Sequence, residues 1–186
     1  MYQYFLMVLF AIAGVSLGSS IKVVRQGDEA LVEVFGIYDR KKLEPGITFL
    51  VPFVERVAYQ ETLREQILHL PPQQCKTRDR VSVTVDFIVH WQIIDLEKAC
   101  YKVQNLKQSL FNILILAIGT HIAELAVEEL YVNRHQINND LVQDLDTIAE
   151  PWGVKFTRVE LRNFTTYRKS IEPTYIDLKE SHNLQD

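Results

Sequence analysis

Between Val81 and Ile93 the chain reads VSVTVDFIVHWQI, with Val81, Val83, Val85, Phe87, Val89, Trp91 and Ile93 on one parity. The other parity carries Ser82, Thr84, Asp86, Ile88, His90 and Gln92. Successive strand side chains point to opposite faces, so this alternation predicts a long strand with one side in a core and the other largely wet. The polar turn Thr77-Arg78-Asp79-Arg80 feeds it.

Upstream, Val23–Gln26 and Ala30–Phe35 read as strands around a turn at Gly27-Asp28, and Pro45-Gly46 suits the centre of a type II turn. Leu63–Leu70 ends at Pro71-Pro72, which cannot sit inside a central strand. Downstream the period becomes helical: a short piece over Leu96–Val103, then a longer one from near Leu106 past Gly119 to about Leu130. A third helix starts near Asn133, a plausible N-cap, with Ile137, Leu141, Leu145 and Ile148 on its apolar side. Pro151-Trp152-Gly153 stops it and Val154–Leu161 returns to strand. Strands, then helices, then one strand predict an α+β fold.

At 186 residues the chain has room for one ordinary domain that buries a core without staples. A net charge of −4 and a pI near 5.8 give no bulk reason to expect nucleic acid as a partner. Cys75 and Cys100 form no CxxC and no zinc-finger spacing, so no metal, disulfide framework or cofactor is expected. Two free thiols suit a reducing compartment.

Residues 1–21, MYQYFLMVLFAIAGVSLGSSI, carry no charged side chain and predict a membrane anchor built on Phe5, Leu6, Val8, Leu9, Phe10 and Ile12. A cleaved signal peptide is the rival reading, with small residues at Ser16–Ser20, but the basic n-region is missing. Lys22, Arg25, Arg40, Lys41 and Lys42 follow the segment, which by the positive-inside rule favours the cytosolic face for the domain over 22–164. A polar tail, 165–186, completes the division. A second apolar run, Ile47–Phe53, is too short to cross a bilayer and must lie in a core or at a surface that is not water.

Motifs that carry chemistry are few. No Walker A loop, GxSxG elbow or HExxH occurs. His121, Glu124 and Glu128 could face a metal together on one helix, but a solvated helix face is the favoured reading. Asp86 and His90 lie about 13 Å apart along a strand, too far for an acid/base pair, and each calls for a cross-strand partner. Cys75 lacks an identifiable base, and Trp152 between Pro and Gly reads as a packing plug.

Three stretches taken in order are specific: VVRQGDEALVEVFGIYDRKKLEPGITFLVPFVERV, LREQILHLPPQQCKTRDRVSVTVDFIVHWQIIDLEKACYKVQNL and EPWGVKFTRVEL. Together they resemble the stomatin/prohibitin/flotillin (SPFH, band 7) superfamily from about Val23 to Arg162, most like stomatin-like proteins of the bacterial or mitochondrial type. The resemblance implies a membrane-anchored scaffold, not an enzyme, that self-associates as a homo-oligomer and organises lipids and partner membrane proteins, such as membrane-bound proteases or NfeD-type proteins. An accessory subunit of a larger membrane complex is the alternative. By the same likeness the PGITFLVPF segment lies at the membrane side, with Phe49, Leu50, Val51, Pro52 and Phe53 as interface residues. Pro52 cannot donate a ladder bond, so the strand ends or lies at an edge there.

Three departures accompany the likeness. Residues 1–21 contain no proline to bend a hairpin, NILILAIGTHIAEL lacks an arginine usual in relatives, and VELRNFTTYRKSIEPTYIDLKESHNLQD carries Pro173 and no heptads where relatives continue into a long assembly helix. A chain lacking that helix is the expectation.

Overall fold

Val83, Val85, Phe87, Val89, Trp91 and Ile93 are all buried, as their alternation requires, along β8 (Ser82–Ile93). The computed structural model describes residues 2–4, 7 and 20–167. The anchor residues Phe5, Leu6, Val8, Leu9, Phe10 and Ile12, and the tail beyond Tyr167, lie outside the described residues.

One whole edge of β8 pairs antiparallel with β9 (Val154–Tyr167). The other edge takes β6 (Gln66–His69) and β7 (Gln73–Lys76) end to end. Pro71-Pro72 falls in the gap between them, where a residue without an N–H interrupts the ladder, and Leu70 keeps a single bond to the Phe87 carbonyl (3.2 Å). Two bulges leave Arg162 and Thr157 unpaired on β9, increasing the twist of the long pair.

Helices cover the apolar face of this sheet. The first is short, α1 (Leu96–Tyr101), with the Asp95 carboxylate accepting from the Lys98 N–H. On α2 (Leu106–Glu124) Leu110, Leu114, Ile118 and Ile122 recur every four residues and are fully buried. This helix is long and apolar enough to cross a membrane by composition, yet its stripe faces the domain core. After a short α3 (Val127–Val132) comes α4 (Arg134–Ala149), which buries Ile137, Leu141, Leu145 and Ala149. Two of its side chains reach the last strand: Asp146 accepts from the Phe156 N–H (2.7 Å) and Asn138 from the Leu161 N–H (3.3 Å).

Two helical expectations need correction. The long helix does not run to Leu130 but breaks at Leu125 and Ala126, both extended. The break is held from the polar turn before β8: the Arg78 N–H donates to the Leu125 carbonyl (2.9 Å), and the Val127 N–H donates to Asp79 (3.4 Å). Second, Ile148 is exposed and Ala149 takes the core position, because the buried stripe Ile137, Leu141, Leu145, Ala149 keeps a spacing of four to the end of the helix.

That turn is a 3-10 segment, Glu150–Trp152, capped by Gly153 at φ 68°. The Gly153 carbonyl accepts from the N–H groups of both Ile94 and Asp95 (2.8 and 3.0 Å). Trp152 is half-buried against the main core, as a plug would be.

A smaller lobe precedes this sheet. A two-stranded ribbon pairs β1 (Ile21–Val24) with β4 (Gly46–Phe49), and a three-stranded sheet sets β2 (Asp28–Val34) between β3 (Ile37–Leu43) and β5 (Glu55–Thr62). Pro45-Gly46 makes a corner, not a closed turn: Gly46, at φ 141°, opens β4 opposite Val24. Val24, Ala30, Val32, Leu43 and Leu50 form the lobe's own core. Leu31, between Ala30 and Val32, belongs instead to the main core, so β2 is a wall shared by both.

Candidate membrane-facing site

The apolar run Ile47–Phe53 does not form one strand. It pairs as far as Phe49 and then turns, and the pairing register decides what each side chain meets. Ile21 lies opposite Phe49 and Val23 opposite Ile47. All four are exposed, whereas Val24 on the other face is buried, so one side of the ribbon is apolar and open.

Beyond the ribbon, Val51 and Phe53 are exposed, Phe53 at 91% and Phe49 at 70%. Pro52 between them is half-buried. Leu50 departs from expectation: only 9% exposed, it points into the small core and its N–H donates to the Ser20 carbonyl (2.7 Å). The alternation that turns Phe49 and Val51 outward turns Leu50 inward.

A second loop joins this edge. Phe35 and Gly36 form the tip between β2 and β3, the Phe35 N–H donates to the Val54 carbonyl (3.0 Å), and Phe35 and Ile37 are exposed. Phe35 and Phe53 both take left-handed φ, 50° and 67°. A bulky side chain in that region costs energy and persists only where its surroundings enforce it. Around Phe53 they do: the Glu55 carboxylate accepts from Lys41 Nζ (2.6 Å) and from the Val51 N–H (2.9 Å). Lys41 first, and then that N–H, hold the Glu55 carboxyl below the usual carboxylate range. Ile21, Val23, Phe35 and Ile37 escape sequence reasoning because only the ladder register and the loop pairing bring them beside the Ile47–Phe53 run.

Behind this edge a polar joint links the lobes. The Arg56 guanidinium donates twice to one Glu33 oxygen (2.8 and 3.1 Å), and the Tyr101 hydroxyl donates to the other (3.1 Å). Tyr38 donates to Glu97 (3.2 Å) and stacks against Tyr101, with ring centroids 4.8 Å apart. Burial pushes the Tyr38 hydroxyl up to about 12 and raises that of Tyr101 as well. Glu33 is held low chiefly by Arg56; burial opposes this and Tyr101 reinforces it. A carboxylate depressed in the folded state contributes stability above its unfolded pKa of about 4.3 and loses it as pH falls through the folded value. The Tm gap between wild type and Glu33→Gln should therefore close on acidification from about pH 6 to about pH 3. Thermal scans across that window check this; a gap independent of pH would contradict it.

The residues weighed for chemistry do not assemble. His121 lies 3.9 Å from Asp144 across the α2/α4 seam, while Glu128 sits on α3 beyond the break. Among the described residues no cluster of three His, Cys, Asp or Glu side chains has metal-site geometry. His90 finds a partner in Glu65 (3.4 Å), and Asp86 lies opposite Asn163. Burial raises both thiols, Cys100 to about 11, which keeps them protonated at neutral pH.

The molecule is thus an α+β domain whose first lobe keeps an open apolar edge beside two aromatic loop tips, Phe35 and Phe53. The chain belongs to the SPFH domain / Band 7 family, which matches residues 22–180. It is 30% identical over 159 residues to an uncharacterized protein of Methanocaldococcus jannaschii, covering 86% of this chain and 79% of that one. An uncharacterized protein of Mycobacterium tuberculosis is 30% identical over 159 residues, covering 86% of this chain and 42% of that one. The mitochondrial stomatin-like protein 2 of Rattus norvegicus is 26% identical over 153 residues, covering 82% of this chain and 43% of that one. The chain thus spans less than half the length of the mycobacterial and rat proteins.

Proposed function

We propose that this chain is a membrane-anchored, stomatin-like scaffold that self-associates, with its first lobe resting on the bilayer surface. The observation that carries this reading is the open apolar edge: Ile21, Val23, Ile47 and Phe49 on the ribbon, with Val51, Phe53, Phe35 and Ile37 on the adjoining loops. Exposed apolar side chains gain free energy by leaving water, and a lobe held beside lipid pays little ordering entropy to do so. The edge also adjoins the point where residues 1–19 enter the domain, since Ser20 bonds Leu50 beside Phe49. Family membership supports a scaffold role without catalysis. The domain faces the cytosol in this reading, and its partners are lipids, further copies of the chain and other membrane proteins, of which a membrane-bound protease or an NfeD-type protein are examples. Co-sedimentation with phospholipid vesicles of the protein starting at Ser20, against its Phe49→Asp/Phe53→Asp variant, tests the bilayer contact. Equal binding by the two would overturn it.

A further inference from the structure

A bilayer attracts a peripheral surface through two separable contributions, apolar area taken out of water and basic side chains drawn to anionic headgroups. The first lobe presents the apolar area openly, while its charges cancel. Over residues 20–62 it carries six basic and seven acidic side chains, a net charge of −1. Three of the six basic groups are committed to carboxylates of the protein itself. Lys41 Nζ lies 2.6 Å from Glu55, the Arg56 guanidinium 2.8 Å from Glu33, and Lys42 Nζ 3.7 Å from both Glu29 and Asp95. The remaining three are Lys22, Arg25 and Arg40. Lys22 alternates with Ile21 and Val23 and so points away from the open apolar face of the ribbon. Arg25 shares the turn before β2 with Asp28, and Arg40 forms the unpaired bulge of β3 together with the exposed Asp39.

We infer that the first lobe recognises a zwitterionic phospholipid surface through its apolar edge alone, with anionic lipid neither required nor favoured. This rests on the bilayer contact proposed above and names the lipid class that the same edge accepts. A basic surface bearing the same apolar tips would gain affinity with each anionic lipid added and lose it in salt, because the headgroup field is screened within about 10 Å at 0.1 M. Here the carboxylates meet that field with the opposite sign, and the two contributions offset. The Lys and Arg residues that bear on orientation act differently. The positive-inside rule counts basic residues almost without regard to acidic neighbours, whereas a headgroup surface senses both signs. Lys41 and Lys42 therefore count toward orientation and not toward the choice of lipid.

The test uses the protein starting at Ser20, whose two cores are built from residues between Val24 and Leu161, with thermal unfolding to verify that it and its variant are folded. Co-sedimentation with phosphatidylcholine vesicles should give saturable binding. The affinity should change less than about threefold when about a third of the lipid is replaced by phosphatidylglycerol, and less than about threefold between about 0.05 and about 0.5 M salt. Asp39→Lys combined with Glu44→Lys reverses two exposed charges, and since each reversal adds two units the lobe goes from −1 to +3. This variant should prefer the anionic vesicles by about tenfold or more, a preference that high salt removes. A wild type that binds neither kind of vesicle would sink the bilayer contact and this inference together. Binding that requires phosphatidylglycerol, or that salt releases, would overturn the lipid choice and leave the contact standing. A charge-reversed variant without anionic preference would also overturn it, because the charges of the lobe would then lie outside the headgroup field.

Discussion

Aspartate at both Phe49 and Phe53 is expected to weaken binding of the protein starting at Ser20 to phospholipid vesicles by roughly a hundredfold or more. Burying one Phe side chain is worth about 1.5–3 kcal/mol, so losing two removes about 3 kcal/mol or more, and every 1.4 kcal/mol is tenfold. The new carboxylates add the cost of pressing charge toward hydrocarbon. Folding should be untouched, because both side chains are exposed and neither supports a core. At Phe53 the change should even relieve strain, since Asp tolerates its φ of 67° better than a bulky ring does. Vesicle co-sedimentation with thermal unfolding as the companion measurement separates the outcomes. Reduced binding with an unchanged Tm supports the contact; unchanged binding removes it. Leu116→Asp, on the far lobe, should bind vesicles like wild type.

Gly153→Val is expected to destabilise the domain by about 2–4 kcal/mol, placing it among the costlier single substitutions. Two costs coincide. At φ 68° an L side chain is strained and a β-branched one especially so. Space is also missing: a Cβ there would sit 2.4 Å from the Asp95 carbonyl oxygen and 2.8 Å from the Asp95 Cβ. Backbone cannot swing aside as a side-chain tip can, and moving it would disturb the bonds from Ile94 and Asp95 to the Gly153 carbonyl. Urea titration would register a lower midpoint at constant slope. A loss below about 0.5 kcal/mol would mean that the α4–β9 corner yields more readily than its contacts imply.

The strand β8 is legible in the sequence because its two faces meet different media, and that difference is written at every second residue. Helix α4 is legible for the same reason at helical spacing, except at its end, where Ile148 and Ala149 both fit the period after Leu145 and the smaller residue takes the core. By contrast β3 and β5 carry little alternation: IYDRKKL and ERVAYQET present polar side chains on both faces of a thin sheet. Those strands are held by the ladder to β2 and by pairs such as Lys41 with Glu55, which composition does not announce. The break at Leu125 is hidden likewise, since its hydrogen-bond partners lie nearly fifty residues away in the Thr77–Arg80 turn. Phe49, Val51 and Phe53 were visible as an apolar run. That Leu50 turns inward, and that Ile21 and Val23 complete the open face, follows from register alone.

The position of β2 has a thermodynamic corollary. Ala30 and Val32 line one core while Leu31 lines the other, so melting either lobe strips a wall from its neighbour. No flexible tether separates them that would let one open while the other stayed shut. The two lobes are therefore a single cooperative unit in which heat or denaturant produces one transition, and a disturbance at the exposed apolar edge changes the stability of helices that never approach it.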